Sequence, residues 1–250
     1  MRKKIISVLL MLSIALTLQS AYKTNQYMRV VDVKGKVKIS SQKTIAKPAQ
    51  YGDLLFTKDN ISTEQNSYLT SYLESNNIFK VKENSSLNID ESYDKTGNTK
   101  LYLEKGNFLI ASSSNAKADS ITISTSNANI KVSGIASVSY SNGNTKAKFL
   151  YGNGEINGTK VNQFMEANID NSNKLSLKNI ELNQELTNTV NEIASMPYVE
   201  TIIAEKIDIN NIQNQINTET NNVSEITSID YEGNTNENRT TLIITNERRK

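Results

Sequence analysis

The sequence has 250 residues and a formal net charge of +2, with no cysteine, no histidine and no tryptophan. Without Cys there are no disulfides, no thiolate metal site and no lipid-modified cysteine anchor; without His the commonest general base near neutral pH is missing, and serine or cysteine hydrolase chemistry with it. Aromatic residues make up 6% of the chain, so its core must be thin and built of Ile, Val and Leu, which suits short strands between polar turns better than thick helix packing.

The N-terminus reads as an export signal. Arg2, Lys3 and Lys4 precede an apolar run of 14 residues at 5–18, and the small residues Ser20 and Ala21 follow. That run is short of the roughly 20 residues a helix needs to cross a bilayer. Residues 1–21 are therefore expected to direct export to the periplasm or the exterior and to be cleaved after Ser20 or Ala21. An uncleaved anchor in the inner membrane is the alternative, because Leu18 or Gln19 would occupy the position where a small residue is preferred. Removing Arg2, Lys3 and Lys4 leaves 25 of the 28 basic residues against 26 acidic ones, a net charge of -1. A near-neutral chain with no basic stretch argues against nucleic acid as a partner.

From residue 28 to about 155, short apolar runs alternate with turn signals about every ten residues, as in an antiparallel sandwich, barrel or β-solenoid. Candidate strands cover 29–33, 37–40, 68–73, 78–82, 87–90, 100–103, 108–111, 121–124, 130–132, 136–140 and 145–150. Turn signals between them include Lys34-Gly35, Gly52-Asp53, Gly106-Asn107 and Asn142-Gly143. Asn142-Gly143 is the clearest, since Asn-Gly accepts the positive φ angles of a type I′ hairpin turn. Asn66-Ser67-Tyr68-Leu69 recurs 18 residues later as Asn84-Ser85-Ser86-Leu87. The echo fits two hairpin-sized units; in an Asn- and Ser-rich chain it also fits chance.

Beyond about residue 168 the period changes. Leu182, Leu186, Val190 and Ile193 recur at helical spacing up to Met196-Pro197, and Val199, Ile202, Ile203 and Ile207 continue the pattern. Residues 180–209 therefore read as a helical appendage, which caps an open end of the β domain or binds a partner in its own right. Residues 210–250 read as a low-complexity, mobile polar tail.

Several motifs, in order, resemble the FecR-type domain, the envelope-side domain of FecR-like signal transducers. They are Gly52-Asp53-Leu54-Leu55, then Ile61 with Thr63 and Asn66-Ser67, then Asn84-Ser85-Ser86-Leu87, the Leu101-Tyr102-Leu103-Glu104-Lys105-Gly106 strand and turn, Val132-Ser133-Gly134, and the closing segment ending at Gly154-Glu155. The resemblance covers about residues 29–168 and implies an all-β domain, a β-sandwich or β-solenoid of short antiparallel strands, followed here by the helical segment and the tail. Two features depart from the family. Ile135 stands where Thr usually follows the glycine, and the cytoplasmic anti-sigma segment is reduced to Met1–Lys4, so control of a sigma factor is not carried over.

The matched residues Gly52, Asp53, Thr63, Ser67, Ser85, Gly106, Gly134 and Gly154 have structural reasons for their positions. Glycine permits turns and close approach, while short polar side chains hydrogen-bond nearby amides and fix corners. No catalytic, cofactor-binding or metal-binding residue is assigned and no cofactor is expected. Asp90 with Glu91, or Asp53 with Asp59, could in principle form a carboxylate pair for glycoside hydrolysis, although the absence of Trp gives a sugar-stacking cleft little support. Asp90, Glu91 and Asp94 match no calcium-loop spacing, and Gly152-Asn153-Gly154 lacks a full phosphate fingerprint and reads as a turn. The functional expectation is a non-catalytic binding or scaffolding module of the bacterial cell envelope, with signalling as one setting. It would hold an unidentified envelope protein or glycan through a sheet edge or a concave face. The alternative is a carboxylate-based hydrolase acting on envelope polysaccharide.

Overall fold

The computed structural model describes residues 28–41, 44–73, 77–91, 99–112, 121–181 and 183–199. The export signal, the tail at 210–250, Asp94 and the helical positions Leu182, Ile202, Ile203 and Ile207 lie outside these residues. In chain order the strands are β1 (Met28–Lys34), β2 (Val37–Ser41), β3 (Thr44–Pro48), β4 (Leu54–Leu55), β5 (Asp59–Thr63), β6 (Tyr68–Leu73), β7 (Asn77–Val81) and β8 (Ser86–Glu91). They continue as β9 (Thr99–Ser112), β10 (Ile121–Ser124), β11 (Asn129–Ser141), β12 (Asn144–Ile156), β13 (Thr159–Val161), β14 (Met165–Ile169) and β15 (Leu175–Asn179). The all-β expectation holds: these strands form one 15-stranded mixed sheet, in which β9 and β10 pair in parallel and every other pairing is antiparallel.

The sheet is folded over on itself into two layers. In the first layer the order is β4, β1, β6, β7, the second half of β9, the second half of β11, the first half of β12, β14 and β15. In the second it is β3, β2, β5, β8, the first half of β9, β10, the first half of β11, the end of β12 and β13. Alternation along each strand turns one set of side chains inward. Leu69, Phe79, Phe108 and Phe149 of the first layer thus meet Ile61, Leu87, Leu101 and Ile130 of the second in one buried cluster. Phe79 and Phe108 stack with ring centroids 5.3 Å apart.

Six of the passages between the layers lie along a common crease, and each of these uses a residue with positive φ: Gly35 (74°), Asn66 (57°), Asn84 (55°), Gly106 (102°), Gly134 (124°) and Gly152 (74°). Glycine and asparagine are the residues that enter this left-handed region at least cost. At three of the passages the strand does not end. Gly106-Asn107, expected to separate two strands, is a bend inside β9; the expected strands 130–132 and 136–140 are one strand, β11; and Gly152-Asn153-Gly154 lies within β12, not in a turn. The physical reason is that a left-handed residue redirects the chain without breaking the ladder, which resumes with other neighbours beyond the bend. At Gly134 and Gly152, which are register partners, the strands come so close that a Cβ on Gly134 would lie 2.2 Å from the Tyr151 carbonyl oxygen, and one on Gly152 would lie 2.1 Å from that of Ser133.

The β structure runs past residue 168 to Asn179, because Asp170 Oδ1 accepts the Ser172 and Lys174 amides and closes a tight turn into β15. One helix follows, α1 (Gln184–Ala194), with Asn183 Oδ1 accepting the Leu186 amide at its start. Its apolar stripe of Leu186, Val190 and Ile193 packs on Ile78, Leu109, Ile135 and Leu150. Those residues are on the outer face of the first layer, so α1 covers a sheet face rather than an open end. Ion pairs fasten it at both ends of the stripe: Glu192 to Lys80 (3.0 Å) and Lys82 (2.6 Å), and Glu185 to Lys148 (2.6 Å).

Two measurements test this architecture. Gly134→Ala should lower the unfolding free energy by about 3 kcal/mol, because its methyl meets backbone that cannot move aside. Gly158→Ala, also at positive φ but with nothing within 4 Å of its Cβ, should lose about 1 kcal/mol; urea unfolding of the two variants measures the difference. The second measurement concerns Glu192, where burial raises the carboxyl but hydrogen bonds and charge from Lys82 and Lys80 outweigh it, leaving the group below its ordinary value. The folded value is the lower one, so the stabilisation is present above the ordinary glutamate value of about 4.3 and is lost as pH falls through the folded value. Thermal melts from neutral to acid pH should show a Tm that drops more steeply in wild type than in Glu192→Gln.

Candidate functional site

The two outer faces of the folded sheet differ. The first is closed by α1, and its outward side chains are apolar at Ile78, Leu109, Ile135 and Leu150. On the second, the inward positions Ile39, Ile61, Leu87, Ile89, Leu101 and Ile123 belong to the core, and alternation turns their neighbours outward. The register aligns those neighbours into a row crossing six strands: Ser40, Asn60, Asn88, Tyr102, Ser124 and Asn129. The first five are half-buried and Asn129 is exposed, and among the described residues no helix or strand covers them.

Hydrogen bonds fix the orientation of this row. Asn60 Nδ2 donates to Asn88 Oδ1 (2.8 Å) and to Ser86 Oγ (3.1 Å), Ser86 donates to Glu104 (2.7 Å), and Ser124 donates to Asn129 Oδ1 (2.7 Å). Where the row meets the turn before β5, a cleft of about 620 Å³ opens, lined by Ser40, Ser41, Lys58, Asn60, Asn88, Ile89 and Asp90. Lys58 has φ 74° and its backbone N–H donates a hydrogen bond to the Ile89 carbonyl oxygen (2.7 Å), and Asp59 caps the same turn by accepting the Phe56 amide (2.9 Å). Asp90 sits exposed at the rim; desolvation, and then the neighbouring Glu91 carboxylate, push its carboxyl above the ordinary value.

The residues singled out from sequence lie elsewhere, chiefly on the crease. Ser67 Oγ accepts the Lys36 amide (2.8 Å) and donates to the Gln65 carbonyl (3.1 Å). Ser85 Oγ accepts the Asn107 amide (2.9 Å) and donates to the Glu83 carbonyl (3.0 Å). Each serine follows a left-handed Asn and packs against a glycine, Gly35 or Gly106, whose Cβ would collide with its Oγ. The echoed Asn-Ser segments are thus the same corner built twice. Thr63 joins the second corner, donating to the Lys82 carbonyl (2.5 Å) and accepting the Ser85 amide (3.0 Å). Gly134 faces Gly152 across the crease, and Gly154 lies under Phe149, where a Cβ would fall 1.8 Å from the ring.

Gly52 and Asp53 stand apart in the turn before β4, where the Asp53 carboxylate takes Lys47 (2.6 Å) and the Gln50 amide (2.8 Å). Despite partial burial, which raises it, the carboxyl is held below its ordinary value by these partners. Asp53 and Asp59 are therefore both committed to capping turns. Asp90 and Glu91 straddle a β-bulge opposite Lys100, which pairs with Glu91 at 2.9 Å.

The outward row was not picked out from sequence, although the alternation in Asp59–Thr63 and Ser86–Glu91 carries it. A second missed residue is Asn127, whose amide bonds the Gly143 (2.7 Å) and Asp170 (2.9 Å) carbonyls and accepts from Thr145 (2.6 Å), clasping three turns. Among the described residues no group of three or more acidic side chains is placed to hold a metal ion.

Residues 59–153 match the protein family described as FecR protein. Two crystal structures of a candidate anti-sigma factor from Parabacteroides distasonis are similar to this chain, each with a TM-score of 0.44 and 14% identity. Each match covers 51% of this chain and 62% of the other, so the chain spans less than two thirds of the length of those proteins. No curated protein matches it. The family match begins at the first residue of β5 and ends within β12, taking in both echoed Asn-Ser segments and the bends of β9, β11 and β12.

Proposed function

We propose that this chain is an exported, non-catalytic binding or scaffolding module of the bacterial cell envelope, and that its contact surface is the outer face of the second layer. The match of residues 59–153 to the FecR family supports a signalling-related module. The observation that carries the reading is the asymmetry between the faces: α1 closes one, while the other presents an ordered polar row beside a cleft. Export rests on the basic start and apolar run at residues 2–18.

The hydrolase reading keeps one observation in its favour, the raised Asp90 carboxyl at the rim of the cleft. Against it, Glu91 is paired with Lys100 and adjacent to Asp90, so the two acids sit on one side of any bound chain, whereas glycoside hydrolysis needs carboxyl groups flanking the bond.

Wild type and an Asn60→Ala/Asn88→Ala double variant, immobilised and exposed to envelope extract, test the contact surface. The expected result is material retained by wild type and lost by the variant at unchanged Tm; equal retention by both would contradict it. Purified peptidoglycan incubated with the protein should release no fragments, and release abolished by Asp90→Asn would favour the hydrolase. Mass spectrometry of the exported protein should find a chain that begins after Ser20 or Ala21.

A further inference from the structure

The polar face admits a narrower statement, which rests on the binding reading above. A protein partner is recognised chiefly through desolvated aromatic and apolar anchors, and the outward row of the second layer has a single aromatic, Tyr102. A nucleic acid needs a surplus of positive charge, whereas Lys38, Lys58, Lys100 and Lys131 share this face with Asp90, Glu91, Glu104 and Glu155, and Lys100 and Lys131 are paired with Glu91 and Glu155. What the face offers is neutral hydrogen bonding at a regular interval. Neighbouring strands lie about 4.8 Å apart, so the row presents one amide or hydroxyl at about the length of a pyranose ring, repeated from strand to strand.

Among the described residues, Asn60 Oδ1, Asn88 Nδ2 and the Tyr102 hydroxyl have no protein hydrogen-bond partner, while the Asn60–Asn88 and Asn60–Ser86 bonds hold both amides in place. A bound polyol would gain an acceptor and a donor on adjacent strands, an arrangement suited to vicinal hydroxyls. The cleft of about 620 Å³ has the size of a small-ligand site, and the left-handed Lys58 at its rim is the kind of strained position that ligand sites retain. We propose that the outer face of the second layer binds a straight, hydroxyl-rich polysaccharide chain running across the strands, with Asn60 and Asn88 as its principal hydrogen-bonding residues and the cleft at Lys58 and Asp90 seating one end. Recognition is by hydrogen bonding more than by stacking, in keeping with a chain that has no Trp.

Isothermal titration calorimetry of the whole mature chain with cellohexaose, chitohexaose and maltohexaose tests the proposal. A straight β-linked hexasaccharide should bind, and the curved maltohexaose should bind more weakly. Asn60→Ala and Asn88→Ala should each weaken binding by about tenfold, the effect of losing one or two hydrogen bonds, whereas Lys146→Ala, on the first layer, should leave it unchanged. Circular dichroism and Tm serve as the check on folding. Absence of binding by all three sugars, or binding that survives the Asn60→Ala/Asn88→Ala double variant, overturns the proposal. A protein captured from envelope extract in an Asn88-dependent way, with no sugar binding, would also overturn it while leaving the contact surface itself intact.

Discussion

Six of the crossings between the layers lie along one crease, and at each of them the backbone must enter the left-handed region. Gly35, Asn66, Asn84, Gly106, Gly134 and Gly152 meet that requirement. The contacts between them make the crease continuous: Ser67 against Gly35, Ser85 against Gly106, and Gly134 against Gly152. At two points of the crease a serine hydroxyl accepts a backbone amide, that of Lys36 and that of Asn107. An unpaired amide in such a half-buried corner would cost roughly 1–3 kcal/mol, which explains why short polar residues occupy these positions instead of apolar ones.

Because the sheet folds along this line, one continuous structure acquires an inside and two outsides. Inward side chains fill a core in which Phe79, Phe108 and Phe149 are the largest members. One outside is apolar and needs covering; α1 covers it and is fastened by Glu185 and Glu192 to lysines on β12 and β7. The other outside carries Asn, Ser and Tyr in register and is stable when wet. The same alternation that builds the core therefore decides which face is left for a partner. The polar row is continuous because the ladder that aligns it, from β2 through β5 and β8 to β9, keeps its register at Ser40, Asn60, Asn88 and Tyr102.

Strands 68–73 and 121–124 were legible in sequence to the residue, since apolar alternation and flanking turn residues agree there. The Asn142-Gly143 turn was legible for the same reason, and both residues have the positive φ expected of a type I′ turn. Gly106, Gly134 and Gly152 were recognisable as special positions, but whether a glycine ends a strand or bends it depends on what pairs with the chain beyond it, and that is a non-local property. β15 was hidden because its Leu-Ser-Leu-Lys-Asn sequence follows a polar turn and is only half-buried. The outward row was hidden for a related reason: each strand shows that Asn60, Asn88 or Tyr102 points away from the core, but only the register shows that they stand side by side.

The central claim is that serine hydroxyls and glycines hold the crease as two independent corners of one design. Native-state amide exchange at Lys36 and Asn107 tests it most directly. In wild type both amides should be protected; in Ser67→Ala protection at Lys36 should fall while Asn107 keeps its own, and in Ser85→Ala the pattern should reverse. Protection that is absent in wild type, or that falls equally at both amides in either variant, would contradict the account.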